Sequence, residues 1–599
     1  MRKLVIAIGI VLVLIVGVVV LAIVNLNAFL EQNRERLAKL ASDAAGREVH
    51  YEQAKATLSR GLAVRIDGLR VSEDPRFGDG DFLRLESGYV DVDLWPALQG
   101  RVEVRGVRLD GPIIQVIQNA RGFNFDSLGS GETAPASPAP EGEGGSTALA
   151  IAALEIGHGT VVYADRRSKD GLALTIESFE SSGTDLSLEG PIAIDFSGRV
   201  RPTSGNAALA SRLSGRLTLD TLDPVAGRLE LASPTFFPAL LGVVLEEEAE
   251  PEHLDDLSLV LGLPADSAKS GMPVELRAAR ARLGGFDLSD VDLTLRLVGE
   301  RLAIEQAKVG LAGGQVDVAG YLTLGGSPGR SPFDLRIGLE RLDSGVLAPA
   351  LLGTPPGVIS GALSGRVDVQ GRSLEWESLK KTLAGNVRLH LAEGALEKVN
   401  VLDALVGRLV ADPGVGALIA SSLRDVAPAA LEGGRTPFKG ADLAVQIVDG
   451  ALRADALGLE AGDFVLSGEG TVGLDGALSG AGTLRLSEAL SKKLVAKADR
   501  LAPLLGGGER VELPLRFGGG VASPSLRPDL TALTARAREQ ATTKLKEKAV
   551  DELTDAIFGK RKKSDPEASE AETEEATPRD ARDEARDLLD KGLKGILGR

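Results

Sequence analysis

The chain has 599 residues, too many for one ordinary core, so several domains or an elongated repeat are expected. A formal net charge of −17 argues against a phosphate-backbone partner, and zero cysteines exclude disulfides, thiolate metal sites and thiol nucleophiles. Glycine is abundant at 73 residues and aromatics make up only 4%, a mixture that suits many strands and turns with a face built from Leu and Val.

In chain order, Met1-Arg2-Lys3 precedes LVIAIGIVLVLIVGVVVLAIV, residues 4–24, uncharged and long enough to cross a bilayer as a helix. No small-x-small cleavage site follows, so residues 1–27 are expected to be an uncleaved anchor. Arg2 and Lys3 then stay cytoplasmic, which puts the bulk of the chain across the membrane. Residues 28–45 read as a helix continuing the anchor, and from about Val49 the period changes to two, as in YVDVDLWPAL. A domain over 28–128 therefore precedes GSGETAPASPAPEGEGGST, residues 129–147, whose composition reads as a flexible linker. Residues 148–530 are short alternating runs broken by Gly, Asp-Gly and Pro, a β-rich region. Two interruptions inside it read as helical, at 235–251 and across 401–433. The remainder, 531–599, comprises a charged helix from about 529 to 558, a solvated acidic stretch and the terminal amphipathic segment ARDLLDKGLKGILGR.

One stretch tests this reading. Gly468-Glu469-Gly470-Thr471-Val472-Gly473 is formally G-x-G-x-x-G, the dinucleotide fingerprint, but that motif needs a helix opening at its third glycine. Here Leu474-Asp475-Gly476 follows, a hairpin signal. Even positions from Phe464 to Leu486 are apolar or glycine and odd positions largely polar, so two antiparallel strands with one apolar face are predicted. Phe464, Leu466, Val472, Leu474, Leu478, Leu484 and Leu486 are the candidate ligand-contacting residues of that face.

Catalytic chemistry finds no foothold. The aspartates of the two DVDL runs, at 91–94 and 290–293, share the polar parity and should face water, where carboxylates make poor general acids. His50, His158, His253 and His390 have no metal-ligand spacing, and Walker A, H-E-x-x-H and G-x-S-x-G motifs are absent. No catalytic residue, metal site or cofactor is expected.

The segments LASDAAGREVHYEQAKATLSRGLAVRIDGLRVSED and FLRLESGYVDVDLWPALQGRVEVRGVRLDGPIIQVIQNARGFNFDSL resemble the amino-terminal pattern of the AsmA family of Gram-negative bacteria, itself related to TamB-like and YhdP-like envelope proteins. The spaced Leu109, Pro112, Gly122, Asn124, Phe125 and Leu128 carry that likeness. VELPLRFGGGVASPSLRPDL, with Pro514, Gly518, Pro524 and Asp529, is similar to the family's carboxy-terminal strand pair. The tail after about Gly559 is not part of the resemblance. What it implies is a single-pass bacterial inner-membrane protein with most of its chain in the periplasm. It also implies a mainly β fold with minor α: an N-terminal transmembrane helix, an elongated, curved antiparallel sheet with an apolar groove, and C-terminal helices. Implied roles are in outer-membrane assembly or lipid traffic, without catalytic residues.

The residues lead to a similar question independently. Many antiparallel strands with one apolar face must cover that face with a sheet, a helix or a ligand, and an acyl chain is one such cover. Phospholipid or another acyl lipid is the expected ligand, an envelope or outer-membrane protein a further partner, and nucleic acid none. The alternative is a non-enzymatic scaffold or adaptor for outer-membrane protein assembly, whose sheet packs on itself. An anchored hydrolase is a third class with no visible nucleophile–base pair.

Overall fold

A computed structural model describes residues 26–57, 62–93, 104–128, 151–168, 171–186, 191–206, 208–222, 224–242, 250–324, 331–410, 414–448, 451–473, 476–506, 509–520 and 523–558. The expected anchor at 4–24, the linker at 129–147 and the terminal segment at 581–599 lie outside them, as does Leu474. Among the described residues no helix is long and apolar enough to cross a membrane. The protein is mainly β and separates into two compact units. One runs to Leu339 and includes Arg372–Leu374; the other takes Glu340–Gly371 and everything from Glu375.

The first unit begins with helix α1 (Arg34–Ala45), closed by Gly46 in the left-handed conformation. Strands β1 (Val49–His50), β2 (Gln53–Thr57), β3 (Ala63–Ser72), β4 (Asp81–Val92), β5 (Val104–Asp110), β6 (Ile113–Asn119) and β7 (Gly122–Phe123) follow. A long meander comes next: β8 (Ile151–Asp165), β9 (Ala173–Leu186), β10 (Ile192–Pro202), β11 (Ser211–Leu222), β12 (Val225–Phe236), β13 (His253–Leu263), β14 (Met272–Leu283), β15 (Phe286–Val298), β16 (Arg301–Leu311) and β17 (Gly314–Thr323). From β8 to β17 each strand pairs antiparallel with the next. The antiparallel expectation fails at one place: β8 pairs parallel with β5 and with β6. The connection to β8 is long, through 129–150, and only a long connection can return a strand in parallel. The expected helix at 235–251 is also corrected. Thr235 and Phe236 end β12, and the described helical part is a single turn, Pro238–Leu241.

The division between units falls within β18 (Phe333–Asp343). Helix α2 (Ser344–Leu352), unforeseen in the sequence, starts where the Asp343 carboxylate accepts from the Gly345 amide at 2.8 Å. Strands β19 (Ile359–Gly371) and β20 (Ala384–Leu396) lead to an excursion holding α3 (Val401–Leu409) and α4 (Val415–Val426), as the 401–433 reading predicted. The chain then returns as β21 (Thr436–Val448), β22 (Ala451–Ala461), β23 (Phe464–Val472) and β24 (Leu478–Leu486). A second excursion carries α5 (Glu488–Lys497) and the turn Asp499–Leu504 before β25 (Glu512–Gly520), β26 (Ser523–Pro528) and α6 (Leu530–Phe558). β19 to β26 are also an unbroken antiparallel meander.

The G-x-G-x-x-G stretch is β23 and its turn, not a phosphate loop. Gly468 pairs with Gly482 and Gly470 with Gly480 across the hairpin, and Gly476 turns the chain at φ +80°. A Cβ at Gly482 would lie 2.7 Å from the Phe517 ring, and one at Gly468 only 2.6 Å from it. At Gly468 and Gly482 an aromatic ring from β25 and the carbonyls of the paired strand share the space a side chain would need, and at Gly470 and Gly480 the paired backbone alone fills it. The same solution recurs on other strand pairs. A Cβ at Gly215 would meet the Phe196 ring at 2.7 Å, and one at Gly394 the Phe438 ring at 2.6 Å. In both cases the ring and the glycine are directly opposed across neighbouring strands. Bulges add local bending: Ser178, Asp290 and Glu393 have positive φ where register shifts between β9 and β10, β15 and β16, and β19 and β20.

Candidate functional site

In the first unit the strand registers align apolar side chains into rows. Ile194, Leu217, Leu229, Leu261, Val274, Leu295 and Ile304 are successive cross-strand neighbours from β10 to β16. Period 2 brings every one to the same face, and every one is only half-buried. A second row, Phe196, Gly215, Leu231, Leu259, Leu276, Leu293, Ala307 and Val318, runs beside it, and of these only Ala307 is fully buried. At strands spaced about 4.8 Å apart, seven strands give an apolar strip on the order of 30 Å long.

Towards the other end of β13 to β15 the same face closes, where Leu254, Leu257, Ala278, Ala281 and Val291 form a buried cluster. The reverse face is charged. Arg216 grips Asp195 through two bonds of 2.7 and 2.8 Å, which holds the Asp195 carboxyl below its ordinary pKa, and Arg296 pairs with Glu305 at 2.7 Å. The aspartates of the DVDL runs are likewise ion-paired: Asp91 with Arg108 at 2.9 Å, Asp93 with Arg105 at 3.4 Å and Asp292 with Arg277 at 3.4 Å. Asp290 occupies the exposed bulge on β15.

In the second unit comparable rows begin half-open and end covered. Leu363, Leu391, Ala441, Leu459, Leu466, Leu484 and Leu513 are successive neighbours from β19 to β25. Leu363, Ala441 and Leu459 are half-buried and Leu391 is buried at 8% exposure, whereas Leu484 is 0% exposed and Leu513 1%. The candidates chosen from sequence fall at the covered end. Phe464, Leu466, Leu484 and Leu486 belong to one core with Leu405 and Val406 of α3, Ile419 of α4 and Leu494 of α5. Val472 and Leu478 oppose each other at the far end of the hairpin and are half-buried. Sequence parity identified the apolar side of this hairpin, but helices from the same chain lie over much of it. The half-open rows of β10 to β17 were missed as a site, although alternation such as Leu213, Gly215, Leu217 and Leu219 against Arg212, Ser214, Arg216 and Thr218 was legible.

The family-motif positions fall in varied surroundings. Asn124 is completely buried: its Oδ1 accepts from the Ile117 amide at 3.0 Å, and its Nδ2 donates to Glu73 at 2.7 Å and to the Gln115 carbonyl at 2.9 Å. Arg47 donates to the Asn124 carbonyl and, at 2.9 Å, to Ser127 Oγ; its guanidinium lies over the Phe82 ring. Ser127 in turn donates to Asp74 at 2.7 Å, and Arg76 chelates the same carboxylate, holding it well below the usual range. Gly122 has φ +122°, Pro112 is buried and Leu109 half-buried, whereas Phe125, stacked on Phe123 at 4.9 Å, and Leu128 are exposed. Pro514 and Gly518 sit on β25 and Pro524 on β26. Asp529 opens α6: its carboxylate accepts from the Ala532 amide at 3.0 Å and from Arg516 at 2.7 Å, the two bonds that depress its pKa.

Among the described residues no group of three or more His, Asp or Glu is placed to hold a metal. His390 bonds Asp442 at 2.7 Å and His158 bonds Asp110 at 3.1 Å, both on exposed surface.

The fold and its rows define a mainly β protein with an apolar face left open along part of its length. Residues 253–457, about a third of the chain, match the model of the AsmA family, which supports the resemblance read from the sequence. The matched region runs from β13 to β22, between the two terminal segments whose residues carry the resemblance seen in the sequence. No curated protein and no solved structure matches the chain.

Proposed function

We propose that this chain is a non-enzymatic envelope protein that binds or conducts lipid along its open apolar rows, in support of outer-membrane biogenesis and lipid homeostasis. The observation that carries the reading is the row from Ile194 to Ile304, seven apolar side chains on adjacent strands that remain half-exposed. Each methylene of an acyl chain laid there leaves water at a gain of roughly 0.8 kcal/mol. A polar headgroup can stay in solvent. The family match is compatible with an envelope role. The apolar segment at 4–24 fits a bacterial inner-membrane anchor with the rest of the chain in the periplasm, and phospholipid is the favoured ligand.

The test is photocrosslinking in cells with the full chain. A benzophenone amino acid is placed at Leu229, Leu261 or Leu295 and, as controls on the charged face, at Arg216 or Glu230. Lipid adducts confined to the first set are expected. Adducts equal on both faces, or none, would sink the proposal.

A second reading, a scaffold or adaptor whose sheet packs on itself, is favoured at one place. Phe464, Leu466, Leu484 and Leu486, at one end of the β23–β24 hairpin, are covered by the chain's own helices. Recovery of envelope proteins but no lipid at the row positions would move that reading ahead.

A further inference from the structure

The helices over β23 to β25 do not all come from neighbouring loops. α3 and α4 leave the sheet between β20 and β21, yet Leu402, Leu405, Val406, Leu409, Ile419 and Leu423 are buried with side chains of β23, β24 and β25. The excursion therefore reaches past β21 and β22 to seal strands further along the same sheet. Its base is tied at both ends. Asn400 caps α3 through the Asp403 amide and donates to the Ala430 carbonyl at 3.0 Å, and Thr436 Oγ1 joins the Val401 amide to the Val399 carbonyl. Arg435 pairs with Glu397 at 3.2 Å beside it. The return passes through Gly433, at φ +80°, and Gly434, a connection with little steric resistance to bending. The second excursion completes the cover, with Ser491 Oγ accepting from the Val511 amide at 2.9 Å and Leu494 at 0% exposure.

The covered and open residues belong to the same rows. Leu389, Leu443 and Leu457 are half-buried neighbours, and the row continues through Gly468 and Gly482 to the buried Leu515. Cover on this face is thus uneven: Leu391 of β20 and a cluster of Val445, Ile447 and Ala454 on β21 and β22 are buried, Leu363, Leu389, Leu443 and Leu457 are half-buried, and from β23 onward leucine and valine side chains of α3 to α5 seal it. We propose that these helices are a resident competitor for the acyl chain: lipid contact in the second unit stops near β22, and loosening the helices extends it over β23 to β25. This rests on the lipid reading above and adds a boundary to it. The helices occupy the place a lipid chain takes upstream, so cargo reaching β22 must leave sideways or displace them.

Photo-leucine, a diazirine isostere that leaves core volumes nearly unchanged, is incorporated throughout the full chain, which is placed in nanodiscs of phosphatidylethanolamine and phosphatidylglycerol and irradiated. Lipid adducts are then mapped by peptide mass spectrometry. Adducts are expected at Leu363, Leu389 and Leu457, with loss of adducts at Leu484, Leu486, Leu513 and Leu515. In Leu405→Ala, or in Leu405→Val should the first not stay folded, adducts are expected to appear at Leu484 and Leu513. Adducts at those buried leucines in the unaltered chain, or none gained in a folded Leu405 variant, overturn the inference. Adducts at Leu217, Leu229, Leu261 and Leu295 with none at Leu363, Leu389 and Leu457 also overturn it while sparing the lipid reading. Absence at all of them removes both.

Discussion

Asn124 shows how much one polar side chain can organise. It is the buried knot between the strand end at Ile117, the carboxylate of Glu73 and the guanidinium of Arg47, all within the first unit. Asn124→Ala leaves an amide and a carboxylate buried without this partner, and a destabilisation of about 3 kcal/mol is expected in urea unfolding of that unit. Asp74 beside it makes a separate prediction. Its hydrogen bonds from Arg76 outweigh the burial that opposes ionisation, so its folded pKa lies below the unfolded one. The stabilisation is therefore present above the unfolded value of roughly 4 and is lost as pH falls through the folded pKa. Thermal melts from pH 7 down to acid should show Asp74→Asn less stable than the parent, the gap narrowing below about pH 4. A gap constant with pH would mean Asp74 contributes by shape alone.

The β23–β24 hairpin is organised around what its glycines omit. Phe517 lies where side chains at Gly468 and Gly482 would be, so its ring fills the missing layer and the backbones approach closely. Gly482→Val is expected to cost about 2 to 3 kcal/mol, and because a Cβ there meets the Ser467 carbonyl at 2.5 Å as well as the ring, only part of that cost is recovered in a Gly482→Val, Phe517→Ala double variant relative to Phe517→Ala. Strain arising only from the backbone would instead add in the double variant. The paired Gly468–Gly482 and Gly470–Gly480 positions look in sequence like a nucleotide motif. Part of the constraint on the first pair comes from Phe517, 35 positions or more downstream of either member, which local pattern cannot reveal.

Over the whole chain the same alternation has two outcomes, and substitution separates them. An aspartate replacing Leu295 on the half-open row of the first unit should leave the protein folded, because its carboxylate can reach water. Leu484→Asp buries a charge at a position of 0% exposure, and the second unit is expected to unfold or lose its protease resistance. Circular dichroism and limited proteolysis on the two variants check this contrast; equal tolerance would mean that the helices over β23 to β25 are loosely held.

Much of the architecture was local and hence readable. Period-2 alternation gave the strands, the return to helical spacing located Val401–Leu409, Val415–Val426 and Leu530–Phe558, and Asp91, Asp93 and Asp292 of the DVDL runs fell on the polar side with arginine partners. Parity also chose the apolar side of the hairpin correctly, because a strand's side chains alternate whatever it packs against. It could not say what lies over that side. Phe464 and Leu484 look no different in sequence from Leu229 and Leu295, yet helices that depart from distant strands bury the first pair and leave no counterpart fully covering the second. The parallel pairing of β8 and the Phe517 ring over Gly468 have the same origin, contacts between segments far apart in the chain, which only the folded packing brings together.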